Sequence, residues 1–305
     1  MTTRCRLSAV VLVPIVALAV ARLVWPAESE KPAQPAGLIL KYHQTEGDRA
    51  SYDFSATGTA KLNVQKGLTT ERLDVSMQMK VLEEFWEPTA EGLARVQGAI
   101  LSGTVKAKSK TEEETQPIQR MAANYKIASG GEMREVELLS GEPPVLPGLF
   151  FTFGPDDAFL LGGLIQFPKK PLKAGDKWKG TARIPSAESD ETVLVNYQCN
   201  VLGLEQYRGR PCVKIKTTAK FSDNETIPEP ESGGTIAAKI TATETNTWRF
   251  DYERGLVMSS KGTIRVSLAA TFVDQDANVS TATITGVVNA RSAMTEFNGQ
   301  KLPAK

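Results

Sequence analysis

Leu73-Asp74-Val75-Ser76-Met77-Gln78-Met79-Lys80-Val81 places an apolar side chain at every second position and a polar one between. Successive side chains of a strand point to opposite faces, so this stretch reads as a half-buried antiparallel strand with one face on a core and the other in water. The same period continues outward. Upstream, Tyr52, Phe54, Ala56, Ala60, Leu62 and Val64 hold one face across Gly58, and Leu38, Leu40 and Tyr42 alternate with Ile39, Lys41 and His43. Downstream, Val193, Val195, Tyr197, Cys199 and Val201 share a face, as do Ile264, Val266, Leu268, Ala270 and Phe272. Helical periodicity is scarce. The pattern predicts a mainly β protein, built on a large antiparallel sheet that is curved or partly closed and carries a short helix or apolar loop packed on it.

Polar, Gly- and Pro-containing stretches punctuate these strands. Residues 108–120 and 225–234 read as charged connections, and Ser129-Gly130-Gly131 as a tight hairpin turn. The chain then divides into an N-terminal β half over 37–144 and a C-terminal β half over 168–298. The halves form either one continuous sheet or two units meeting near residue 167. A patternless tail over 299–305 is expected to fray.

Between the halves, residues 145–167 hold five of the eleven Phe: Phe150, Phe151, Phe153, Phe159 and Phe167. This stretch lacks strand alternation, and its Gly and Pro residues leave no room for a long helix. Pro155-Asp156-Asp157 ahead of Ala158-Phe159-Leu160-Leu161 reads as the start of a short one. Burying each Phe is worth ~2 kcal/mol, so the segment is expected to lie across the concave face, as a permanent plug of the core or as a lid over an apolar pocket. Those five Phe are the candidate ligand-binding residues.

The charge balance of 36 Lys+Arg against 35 Asp+Glu offers no basic field for nucleic acid. The single His, His43, lies on the polar face of its alternating run and reads as a surface residue rather than a member of a catalytic triad. No Gly-x-Ser-x-Gly elbow accompanies it. Zinc would have to draw on His43, Cys199 and Cys212, which lack the close pair spacing of such sites. Asp274, Asp276 and Asn278 alternate like the opening of a calcium loop, but Val279 stands where that loop needs Gly and Thr285 where it needs Glu. A hydrated turn accounts for them. Glu83 and Glu84 point to opposite faces of a strand, and Asp156-Asp157 reads as helix capping, so no acid pair stands out for hydrolysis. No metal and no cofactor is expected. Lys169, Lys170, Lys173, Lys177 and Lys179 read as a solvated loop face.

Arg4 and Arg6 precede an apolar run over 7–20 and the small-x-small triplet Ala19-Val20-Ala21. These are the three parts of a secretory signal peptide, here 1–21, followed by a charged, Pro-containing linker over 22–36. The alternative is an uncleaved inner-membrane anchor over 7–25, because apolar residues resume at Leu23, Val24 and Trp25 beyond Arg22. Cleavage near Ala21 would place the chain in the periplasm or outside the cell, where disulfides form. Yet Cys199 shares the apolar face of its strand, whereas Cys212 opposes the face of Val213, Ile215, Ala219 and Phe221. The two sulfurs are therefore expected on opposite sides of the sheet as isolated thiols, one of them buried.

Phe167-Pro168-Lys169-Lys170-Pro171-Leu172-Lys173-Ala174-Gly175-Asp176-Lys177-Trp178 joins a Pro-x-x-Pro segment to Gly-Asp-x-Trp and then to a strand. Gly175-Asp176 reads as a turn with positive φ and Trp178 as the anchor of the next strand. The motif resembles one found in exported β-rich bacterial proteins of unknown function, where it introduces the C-terminal half. That resemblance implies an envelope or secreted protein related in architecture to periplasmic lipoprotein carriers, whose curved sheet holds lipid. It supplies no catalytic residue. The leading expectation is an exported, non-enzymatic protein that binds a lipid, another apolar ligand or an envelope protein. A structural domain with a fully packed core is the second reading, and a carboxylate-dependent hydrolase the third.

Overall fold

The computed structural model describes residues 37–64, 69–140, 165–185, 192–229, 234–273 and 279–303. The signal segment, the linker, Phe150, Phe151, Phe153 and Phe159, and the turn at 274–278 lie outside the described residues. Within them, the period-two pattern becomes thirteen strands: β1 Arg49–Val64, β2 Thr69–Trp86, β3 Ala94–Lys108, β4 Glu113–Ile118, β5 Met121–Ile127, β6 Met133–Ser140, β7 Lys177–Pro185, β8 Thr192–Tyr207, β9 Arg210–Glu229, β10 Gly234–Asp251, β11 Leu256–Val273, β12 Val279–Phe297 and β13 Gln300–Lys301. The described residues contain no helix.

All thirteen belong to one antiparallel sheet, ordered β6-β5-β3-β2-β1-β12-β11-β10-β9-β8-β7, with β4 on β3 and β13 on β12. Most neighbours are consecutive in the chain, and β3 and β5 are separated only by β4. The exception is the β1–β12 seam, registered from Ala50↔Phe297 to Val64↔Ala282. That seam makes the two β halves one continuous sheet rather than two units meeting near residue 167. The ends of the path, β6 and β7, approach each other without pairing, so the sheet coils round its own inner face and stays open.

Three local expectations change. The connection over 108–120 contains β4, and β9 and β10 run on to Glu229 and from Gly234, shrinking the loop expected at 225–234. A strand's hydrogen bonds are made by its backbone, so polar side chains do not prevent pairing. Pro117 sits in an edge strand, and Pro228 lies beyond the β8–β9 register that ends at Asn196↔Lys220, where a missing N–H costs no ladder bond. Nor does the tail fray at 299–302: β13 pairs with β12, and the Leu302 N–H donates to the Thr295 carbonyl at 2.9 Å. Third, the run at 38–42 alternates like a strand but makes only an isolated bridge, Leu38↔Leu172.

That run does something else. It crosses one end of the coiled sheet, where the Tyr42 N–H donates to the Ser129 carbonyl at 2.8 Å and Gln44 Nε2 to the Gly255 carbonyl at 2.9 Å. Leu40 and Tyr42 are buried there with Ile165, Phe167 and Leu172. The Tyr42 hydroxyl accepts from the Ile165 N–H at 3.1 Å, and the Tyr42, Phe167 and Phe250 rings pack with centroids 4.7–5.4 Å apart. Gly255, at φ 66°, lets the lead-in pass so close that a Cβ there would overlap the His43 backbone nitrogen. This base is a plug of apolar and aromatic side chains at the end opposite the Val64↔Thr69 and Val273↔Val279 pairs.

Candidate functional site on the inner face

Register sorts the side chains. Rows such as Ala242, Val266, Gly286, Ala60 and Leu73 run across β10, β11, β12, β1 and β2 on the inner face. Away from the plug, the buried inner alanines Ala60, Ala107, Ala238, Ala242 and Ala270 alternate with larger residues such as Ile240, Leu268 and Ile284. Small side chains on a curved sheet leave room. A cavity of about 320 Å³ lies there, with Ala60, Leu62, Leu73, Ala107 and Ile284 as its apolar wall. Its polar side is made by Glu71 and by the β3–β4 hairpin, through Ser109, Thr111, Glu112 and Glu114. An apolar wall beside a polar rim suits an acyl chain or another slim apolar group whose polar end stays at the edge.

Two carboxyl groups interrupt the apolar inner face below this cavity. Glu83 lies near the plug, where it accepts from the Tyr125 hydroxyl at 2.9 Å and is hydrogen-bonded to Tyr52. Burial pushes its carboxyl above the ordinary value of 4.5, and the two phenols only partly offset that. Both phenols are pushed well up, by burial first and the nearby Glu83 second. Glu244 stands one row below the cavity wall, with Ala219 and Ile264 as its strand neighbours. Burial pushes it up to about 7, opposed by the Asn246 amide, which donates to Oε1 at 3.1 Å. Both acids occupy inner positions of runs that are otherwise apolar, Met77-x-Met79-x-Val81-x-Glu83 and Ile240-x-Ala242-x-Glu244. That interruption was the signal that could have found them. Glu84 faces outward, as expected, and pairs with Arg49 at 2.9 Å.

Of the five candidate Phe, Phe167 is the one within the described residues, and it belongs to the plug rather than the cavity wall. The Gly-Asp-x-Trp corner forms. Gly175 takes φ 88°, its N–H donates to the Val201 carbonyl at 2.8 Å, and Asp176 Oδ2 accepts from the Lys173 N–H at 3.0 Å. A Cβ on Gly175 would meet nothing, so the backbone angle rather than a clash demands glycine. Trp178 is half-buried, because its indole lies at the sheet margin and donates to the Gln166 carbonyl at 2.8 Å. His43 and the five lysines of 169–179 are exposed. No cluster of three potential metal ligands occurs among the described residues.

Cys199 and Cys212 are free, and they do face opposite sides. Both are buried, however, at 1% and 0% exposure. Cys212 opposes Glu205 and Asp251 on the outer face, with the Arg249 and Arg210 guanidiniums nearby.

Fold and site together define an antiparallel β-sheet protein coiled round a plugged, apolar inner face. No protein-family model matches the chain, and no curated protein matches it. Among solved structures, one of lipovitellin, described by its lipid–protein interactions, is 11% identical over 86% of this chain and 26% of its own, with a TM-score of 0.45. This chain thus spans about a quarter of that structure. DynF from the dynemicin biosynthesis pathway of Micromonospora chersina is 9% identical over 93% and 95%, with a TM-score of 0.21. The outer membrane protease OmpT from Escherichia coli is 9% identical over 81% and 96%, also at 0.21. At these values the likeness carries no chemistry. No helix among the described residues is long and apolar enough to cross a membrane.

Proposed function

We propose that this is an exported, non-enzymatic protein of the cell envelope that holds a lipid or similar apolar ligand against the inner face of its sheet. The observation that carries this reading is the cavity walled by Ala60, Leu62, Leu73, Ala107 and Ile284, at the end opposite the Tyr42–Phe167–Phe250 plug. A packed structural domain would fill such a space with larger side chains. Here the space stays open between Leu62, Leu73 and Ile284 over the alanines Ala60 and Ala107, and the polar groups collect on one side. Export rests on residues 1–21 and is checked separately: the exported chain begins at or near Arg22, whereas a full-length membrane-retained chain would favour the anchor.

Binding is tested by titrating the purified protein with a fluorescent long-chain fatty acid and by mass spectrometry of organic extracts of the native protein. Ala60→Phe fills the cavity and is expected to weaken uptake by about tenfold, the worth of roughly two methylenes of lost contact. Leu62→Glu, which puts a charge into the same wall at a half-buried position, should do the same. No uptake by the unaltered protein, or uptake indifferent to both changes, would remove the reading.

A further inference from the structure

The outer face carries a second feature, independent of the inner-face reading. The β8–β9 hairpin turns through Arg208 and Gly209, both left-handed at φ 52° and 73°. Glycine suits that geometry. Arginine is strained in it, and such strain persists only where the surroundings hold it. Arg208 Nη1 donates to the Met294 carbonyl on β12, laying the turn over the outer face. The adjacent Tyr207 ring has the Arg249 guanidinium 4.7 Å and the Arg208 guanidinium 5.7 Å from its centroid. Arg208 Nε is buried and has no hydrogen-bond partner.

Beside this turn lies a groove of about 660 Å³. Two rows of the sheet build its floor. One runs Ser102, Lys80, Asp53 and Ala293 across β3, β2, β1 and β12, and the next runs Thr104, Gln78, Ser55 and Arg291. With Arg208 and Arg249 from the opposite side, four cations face one carboxylate, Asp53. Glu205, outside the groove, pairs with Arg249. Lys80 has no ion pair among the described residues, and Arg291 engages the Ser55 hydroxyl through Nε.

We infer that this groove binds a phosphoryl group, held by Lys80, Arg208 and Arg291 with the Ser55, Ser102 and Thr104 hydroxyls as further donors. Gathering like charges round a strained turn destabilises the empty protein, and an oxyanion removes that repulsion. A carboxylate would be satisfied by one planar guanidinium fork. Cations arriving from separate strands and a turn, interleaved with hydroxyls, suit a tetrahedral oxyanion of higher charge. The groove is too large for phosphate alone and its lining is mixed, with Tyr207 and Ala293 beside the cations and hydroxyls, so the phosphoryl group is borne on a larger body, either a soluble phosphorylated compound or the head of a phospholipid.

Calorimetric titration with pyrophosphate tests the chemistry, and co-sedimentation with phosphatidylglycerol against phosphatidylcholine vesicles tests the source. Pyrophosphate uptake is expected, weakened by added salt. The Lys80→Gln, Arg291→Gln double variant alters exposed side chains and should lower affinity about tenfold or more while leaving the thermal midpoint in place. Asp53→Asn should tighten binding. Retention on phosphatidylglycerol vesicles alone, lost in the double variant, assigns the headgroup; uptake of pyrophosphate without vesicle retention assigns a soluble phosphate. Absence of both, or uptake that neither variant changes, overturns the site.

Discussion

The Tyr125 hydroxyl on β5 reaches the Glu83 carboxylate on β2, 2.9 Å away, across the intervening strand β3. It can do so because Gly98, the residue of β3 opposite Glu83, has no side chain to stand between them. Ala50 occupies the corresponding place on β1, so Tyr52 approaches from the other side. A buried acid on an apolar face is thereby provided with two donors, one from the adjacent β1 and one from β5 beyond β3, so the carboxyl is not orphaned.

Removing one donor should therefore cost more than neutralising the acid. Tyr125→Phe is expected to destabilise by about 1–2 kcal/mol, the usual cost of leaving a buried partner under-satisfied. Glu83→Gln keeps an acceptor at the same place and should cost less than Tyr125→Phe. Urea unfolding of both variants at neutral pH ranks them, and the reverse order would contradict the geometry.

Glu244 sets a pH dependence of definite sign. Its folded-state value is raised to about 7 from an ordinary 4.5, so the folded protein retains a proton that the unfolded chain gives up. Stability should fall as pH rises through that window and level off above it, by an amount on the order of 2 kcal/mol because part of the side chain reaches solvent. Glu83 acts in the same direction. Denaturation at pH 5 and pH 8 should show the loss in the unaltered protein and a smaller loss in Glu244→Gln.

Two glycines should respond differently to alanine. At Gly262 an added Cβ would overlap the Thr245 carbonyl oxygen and crowd Asn246 Cα at 2.9 Å, so backbone must move. About 3 kcal/mol is expected, in line with overpacking inside a sheet. Gly175→Ala meets no atom and bears only its left-handed backbone angle, for roughly 1 kcal/mol. Thermal melts of the pair check the order.

Both thiols should be silent in the folded state. Burial pushes Cys199 up to about 12 and raises Cys212 as well, the latter helped by the Asp251 and Glu205 carboxylates. Without thiolate or access, neither sulfur attacks a disulfide reagent. A chromogenic thiol titration at pH 8 of the chain from Arg22 onward, which holds Cys199 and Cys212, should count none before denaturant and two after. Fast reaction of either would place it at the surface.

Alternation along Tyr52–Leu62, Met77–Val81 and Val195–Val201 determined which side chains share the inner face, because a strand's two-residue period is local and survives any choice of partner. For the same reason, the opposite orientations of Cys199 and Cys212 and the left-handed Gly175 were legible without a structure. The interruptions at Glu83 and Glu244 were legible too, though only their tyrosine and amide partners explain them. Pairing between distant strands has no local signature, so the β1–β12 seam that makes one sheet of two halves could be decided only by folding. The run at 38–42 obeys the strand period yet plugs the base, since its carbonyl and N–H partners come from turns far along the chain. The meeting of Lys80, Arg208, Arg249 and Arg291 depends likewise on Arg208 reaching from the β8–β9 turn to β12, a contact set by tertiary packing that no periodicity records.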